Sequence, residues 1–134
     1  MLLHKELTLN LILEPRTIDD VTVLYCEGRI TYGAEATKFS QTVAELMPRT
    51  RRLVIELNGV EMIDSAGLGQ LVVVFMWTQA SGCSIKLVAA EGQVRDLLEL
   101  TNLLSVFETH ATVDDALLSF RGQIARSKTA GHAA

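Results

Sequence analysis

Residues 53–77 read LVIELNGVEMIDSAGLGQLVVVFMW. Two apolar runs close to each other are broken by Asp64, Ser65, Gly67 and Gly69, and the second run, LVVVFMW, carries no charge. Both runs must enter one core, so the polar break between them has to be a sharp junction between two elements. Leu53 to Leu57 is short, apolar and β-branched, as a central strand is. Asn58-Gly59 predicts a turn, after which Val60 to Ile63 returns to the interior. The next segment reads two ways. Its valines favour a strand by propensity. The spacing of Leu68, Leu71, Val72, Phe75, Met76 and Gln79, and the Ser81-Gly82 stop, favour a largely buried helix from Ser65 to about Ala80, the stronger reading.

The rest of the chain alternates strand and helix. Leu7, Leu9, Leu11 and Leu13 alternate with Thr8, Asn10 and Ile12, which predicts a strand with one buried face. Glu14 to Asp20 reads as a polar connection to a second strand, Val21 to Cys26, giving an antiparallel pair. A helix from about Ala34 presents Ala36, Phe39, Val43, Leu46 and Met47, and Pro48 ends it. Ser84 to Ala89 reads as a strand, Glu91 to Leu100 as a helix with Val94, Leu97, Leu98 and Leu100 inward, and Leu104 to Glu108 as a last short strand. Thr112 caps a final helix that packs Ala116, Leu117 and Phe120 on the sheet. The order β-β-α-β-α-β-α-β-α defines an α/β fold, a mainly parallel five-stranded sheet with four helices and right-handed crossovers. The domain is expected to span 1–121, with 122–134 a flexible C-terminal tail of polar and small residues.

Composition removes several functions. In 134 residues the net charge is −4, and the densest basic group, Arg49-Thr50-Arg51-Arg52, reads as a solvated strand start rather than a nucleic-acid patch. No apolar run is long enough to span a bilayer, and MLLHKELTLN is no signal peptide. Cys26 and Cys83 lack metal or redox spacing and read as buried small hydrophobes in a reducing cytoplasm. His4, His110 and His132 have no ligand-like neighbours, and Asp19-Asp20 and Asp114-Asp115 read as solvated acids at a turn and a helix start. No phosphate loop or dinucleotide fingerprint is present, so neither a metal nor a cofactor is expected.

At the central junction, a side-chain oxygen of either Asp64 or Ser65 can cap the first-turn amides of the helix, and negative charge is favoured there. Gly67 and Gly69 remove side chains beside Ser65, letting the helix start sit low. Ser65 is therefore either a plain cap or a serine displayed where a phosphate would be welcome. A catalytic serine is disfavoured: a nucleophile elbow would need glycine at Ile63, and no base is near in sequence.

The stretch LVIELNGVEMIDSAGLGQL, together with CEGRI at Cys26 to Ile30, resembles the signature of the STAS domain, named for sulfate transporters and anti-sigma factor antagonists. The likeness extends over about Leu7 to Phe120 and implies a helix after Ser65. In bacterial antagonists of this family the serine of the acid-serine pair is phosphorylated by a partner anti-sigma factor that is itself a serine kinase. The resemblance thus implies Ser65 as phosphoacceptor, with Asp64, Ala66, Gly67, Leu68, Arg29, Thr31, Tyr32 and Gly33 as the partner-binding surface and Trp77 either joining it or lying in the core. It implies an anti-sigma factor kinase and a phosphatase as partners, no enzyme activity of its own, no nucleic acid or membrane, and a cytoplasmic monomer or weak homodimer. Thr31 departs from the pattern, standing where the family carries an acid after the second strand. The alternative is a STAS scaffold module of a stress or other signalling complex, with constitutive or non-sigma partner binding.

Overall fold

A computed structural model describes residues 9–133, with side chains described to Gln123. Five strands, β1 (Leu11–Ile18), β2 (Val21–Ile30), β3 (Arg52–Ile63), β4 (Ser84–Val88) and β5 (Thr109–His110), lie in sequential order in one sheet. The β1–β2 pair is antiparallel and the other three pairs are parallel. Among the described residues four helices follow: α1 (Ala34–Leu46), α2 (Ser65–Ser81), α3 (Gln93–Leu100) and α4 (Val113–Ala133). Sequential parallel strands joined by right-handed crossovers keep the connecting helices on one face. Accordingly Phe39, Val43, Leu71, Val74, Val94 and Leu98 of α1 to α3 share one core with Leu24, Leu53, Ile55 and Leu87. On the other face α4 packs Ala116, Leu117 and Phe120 on Val23, Val54 and Val88, as the apolar spacing of α4 predicts.

Strands β2 and β3 are longer than the local sequence pattern predicts, and a glycine inside each explains why. Gly28 lies inside β2 at φ 111°, where the ladder to β3 changes register. Gly59 lies inside β3, and Asn58-Gly59 is a bulge rather than a turn: the two-residue step Tyr25 to Glu27 faces the three-residue step Glu56 to Gly59. A Cβ at Gly59 would stand 2.7 Å from the Cys26 carbonyl, so the close pass of β2 requires glycine. The strand expected over Leu7 to Leu13 is displaced. Leu7 and Thr8 lie outside the described residues, and β1 runs on through the expected polar connection to Ile18. Pro15 is tolerated because β1 is an edge strand. The turn shrinks to Asp19-Asp20, both at positive φ, the two-residue hairpin geometry.

Two further expectations are corrected. Leu104 to Glu108 is not a strand: a short 3-10 turn covers Leu103–Ser105, Phe107 is buried, and β5 is only Thr109–His110. Leu100 is exposed rather than inward, because the burial of Val94 and Leu98 fixes the rotation of α3. The helix α4 is capped by Thr112, whose hydroxyl accepts from Asp115 N at 3.1 Å, and it continues past Arg121 to Ala133, into the segment expected as a tail. Both cysteines are buried and free.

Candidate functional site

The site is the junction of β3 and α2, at the carboxyl edge of the parallel strands, where open α/β sheets present their binding surfaces. The second apolar run is helical, and Gly67, Leu71, Val74 and Thr78 form its buried stripe. Met76 and Gln79, expected inward, are exposed. What sets that rotation is Gly67. A Cβ there would lie 1.9 Å from the Ile30 carbonyl oxygen and 2.8 Å from Ile63 Cγ1, so the first turn of α2 rests directly on the ends of β2 and β3. Gly69 is different: nothing lies within 4 Å of a Cβ at that position. Its bareness serves the surface, not the packing.

The ambiguity between the two capping candidates resolves to Asp64. Asp64 is the N-cap of α2, in extended conformation, and its Oδ1 accepts from Gly67 N at 2.9 Å. Its other oxygen, Oδ2, accepts from Tyr32 N at 2.8 Å. These two amide donors, Gly67 first and Tyr32 second, hold the Asp64 carboxyl below the ordinary carboxylate range. One side chain thus caps a helix and ties the β2–α1 loop to it. Ser65 is left as the first residue of α2, exposed, and among the described residues its hydroxyl has no hydrogen-bond partner. The serine is therefore displayed rather than used in the fold.

Around it the expected surface is gathered in part. Tyr32 is 83% exposed, and Gly33 opens α1 at φ 100° without a side-chain cap. A shallow groove of about 500 Å³ between the starts of α1 and α2 is lined by Tyr32, Gly33, Ala36, Ala66, Gly69 and Val73 among others. Thr31 is half-buried, and its carbonyl accepts from Ala36 N at 3.0 Å to begin α1. Leu68 is half-buried, packed against the core. Arg29 stands apart. It pairs with Met62 while its neighbour Ile30 pairs with Ile63, so alternation along the strand sends Arg29 and Met62 to the face opposite the buried Ile30 and Ile63. Trp77 also lies elsewhere, near the far end of α2.

One residue of this junction escaped the sequence reading. The Gln93 side chain, at the first position of α3, grips the backbone of Ile63 at both ends: Oε1 accepts from Ile63 N at 2.9 Å and Nε2 donates to Ile63 O at 3.0 Å. It locks the residue immediately before Asp64. No local signal marks it, since a glutamine after Gly92 at a helix start is ordinary. Asn58, in the bulge, similarly accepts from Ala90 N at 2.8 Å and donates to Ala111 O at 3.2 Å, tying the loops after β4 and β5 to β3.

The site is thus a carboxylate-capped junction at the edge of a mainly parallel sheet in sequential order, displaying one serine. The profile of the STAS domain matches residues 13–116, and the chain belongs to the STAS domain family. An anti-sigma factor antagonist from Mycobacterium paratuberculosis is 26% identical, with a TM-score of 0.74 over 83% of this chain and 94% of that one. A putative anti-sigma factor antagonist from Thermotoga maritima is 28% identical, with a TM-score of 0.70 over 81% and 94%. The phosphorylated form of the Bacillus cell fate determinant SpoIIAA shares the fold at 12% identity, with a TM-score of 0.63 over 81% and 99%. Among the described residues no helix is long and apolar enough to cross a membrane.

Proposed function

We propose that this chain is a phospho-regulated protein-binding module of the anti-sigma factor antagonist type, acting in the cytoplasm as a monomer or weak homodimer. It binds an anti-sigma factor that is also a serine kinase while Ser65 is unmodified, and is released when that kinase phosphorylates Ser65. A phosphatase resets it. The observation that carries this reading is the free, exposed hydroxyl of Ser65 at the first position of α2, beside an Asp64 that already supplies the cap. Phosphate can be added there without dismantling the fold. It would bring roughly −1.5 to −2 charges to a surface built from Tyr32, Ala66, Gly69 and Val73. Asp64, held ionised by its two amides, adds like charge beside it. A partner seated on that surface would meet both. Tyr32 is the natural anchor for such a partner, a large and nearly fully exposed aromatic.

Thr31 favours a second reading, a scaffold module of a signalling complex with constitutive or non-sigma partner binding. Its carbonyl starts α1 and its side chain supplies no charge where the resemblance expects an acid. Incubation with the host's anti-sigma factor kinases and ATP, followed by mass-spectrometric mapping, separates the two. Phosphate on Ser65 is the expected result. Absence of phosphate on Ser65 with every such kinase overturns the switch and leaves the scaffold.

A further inference from the structure

The end of the molecule away from Ser65 carries a groove that the switch does not use. Trp77 lies twelve residues along α2 from Ser65, about 18 Å at the helical rise. There Trp77, Met47, Pro48 and Cys83 line an open cavity of about 500 Å³ that also includes Arg51. That volume falls within the range of small-molecule sites. A second depression of about 380 Å³ adjoins it, shares Pro48, Thr50 and Arg51, and adds Arg49 and Arg52. The two together make an apolar compartment with an indole wall and a cationic compartment beside it.

The cationic side stands out electrostatically. The chain's net charge is −4, yet three guanidiniums fall within four residues. Among the described residues none of them forms an ion pair: the arginine pairs are Arg16–Glu14, Arg95–Glu99 and Arg121–Asp19. Asp20 lines the second depression without pairing with them. The helix ends that border the groove are closed by the chain's own amides, Thr50 N on the Met47 carbonyl and Cys83 N on the Thr78 carbonyl. The guanidiniums are thus the dominant full charges at the rim, and Trp77 remains 38% exposed beside them.

We propose that this groove binds a small ligand that joins a flat apolar ring system to an anionic head, the rings packing on Trp77, Met47 and Pro48 and the head pairing with Arg51. Arginine suits such a head because its planar fork offers paired donors to a carboxylate or phosphate. The site is independent of Ser65 and of the partner surface around it.

Trp77 is the chain's single tryptophan and lines this groove, so it is the one indole donor for energy transfer to a bound probe, and the arginine variants locate the probe. The probe is 8-anilinonaphthalene-1-sulfonate, titrated against the full chain, with neutral N-phenyl-1-naphthylamine as the uncharged comparison. Saturable transfer from Trp77 to the sulfonate is expected, with at least tenfold weaker binding of the neutral amine and at least a tenfold loss on Arg51→Gln. Ser65→Ala should leave the affinity unchanged. Thermal melting of Arg51→Gln verifies its fold, and Arg49→Gln, also exposed, repeats the comparison should Arg51→Gln melt early. Absence of saturable transfer, or a loss below tenfold for the neutral amine or for the arginine variant, overturns the proposal.

Discussion

Asp64 and Tyr32 are joined by a hydrogen bond of 2.8 Å from the Tyr32 amide to Asp64 Oδ2, thirty-two residues apart in sequence. The other oxygen of the same carboxylate holds Gly67 N at the start of α2. The surface around Ser65 is therefore set by one side chain that fixes two loops at once. The Ser65 side chain takes no part in those two hydrogen bonds.

Asp64→Ala should destabilise the fold by more than a cap alone, which is worth about 0.5–2 kcal/mol, because the Tyr32 anchor is lost too. Asp64→Asn should lose less, since an amide oxygen still caps the helix while the amide nitrogen cannot accept from the second donor. Ser65→Ala should stay within about 0.5 kcal/mol of wild type. Urea unfolding at neutral pH checks all three. The folded-state pKa of Asp64 is depressed, so its contribution is present above the unfolded value and is lost as pH falls below about 4. Relative to wild type, Asp64→Asn should therefore lose its stability deficit as the medium is acidified. A deficit that stays constant from pH 6 to about pH 2 would contradict the assigned role of the carboxylate.

The two glycines of the junction should behave oppositely. Gly67→Ala drives a methyl group into the Ile30 carbonyl and should cost about 1–3 kcal/mol or more. Gly69→Ala meets open space and should gain up to about 1 kcal/mol from helix propensity. The same Gly69→Ala change fills part of the groove beside Ser65, so it should weaken partner binding while raising the melting temperature. Calorimetric melts together with a binding titration test this pairing.

Beneath α4, Lys86 is almost fully buried on the sheet, 4.3 Å from the Phe120 ring centroid, and its ammonium pairs with Glu108 and bonds Ser119 Oγ at 2.6 Å. Partial burial raises the Glu108 carboxyl, but hydrogen bonds from Lys86, His110 and Ser119 outweigh it and hold the pKa at about 2. Its stabilising contribution is therefore present above about pH 4.5 and disappears as pH falls toward 2. Glu108→Gln leaves a buried ammonium poorly compensated and should cost on the order of 2 kcal/mol at pH 7. Lys86→Met removes that charge and should cost less. Equal losses from the two variants in urea unfolding would contradict this account.

How much of this was legible in the sequence follows from the range of each interaction. The junction was readable because Asp64, Ser65 and Gly67 act within one helical turn, where cap chemistry is local. The alternation of strand and helix was readable for the same reason. The bulges at Gly28 and Gly59 were not, because a glycine that lets two strands pass closely has the same local pattern as one that ends a strand. Pro15 misled in a similar way, since only the sheet order makes β1 an edge. Gln93, Asn58 and the Lys86–Glu108 pair act across 22 to 53 residues, and no spacing rule reaches that far. Gly69 looked like a packing glycine and is a surface one, a distinction that depends on which way the helix is rotated.

The central claim is that phosphate on Ser65 switches partner binding while the fold stays intact. Its most direct test is the affinity of the cognate anti-sigma factor for the unmodified chain and for the chain phosphorylated at Ser65, measured by isothermal titration with the circular dichroism of both forms recorded. The expected result is superimposable spectra and at least a tenfold loss of affinity, about 1.4 kcal/mol, on phosphorylation. Equal affinities, or a loss accompanied by unfolding of the phosphorylated form, would contradict it.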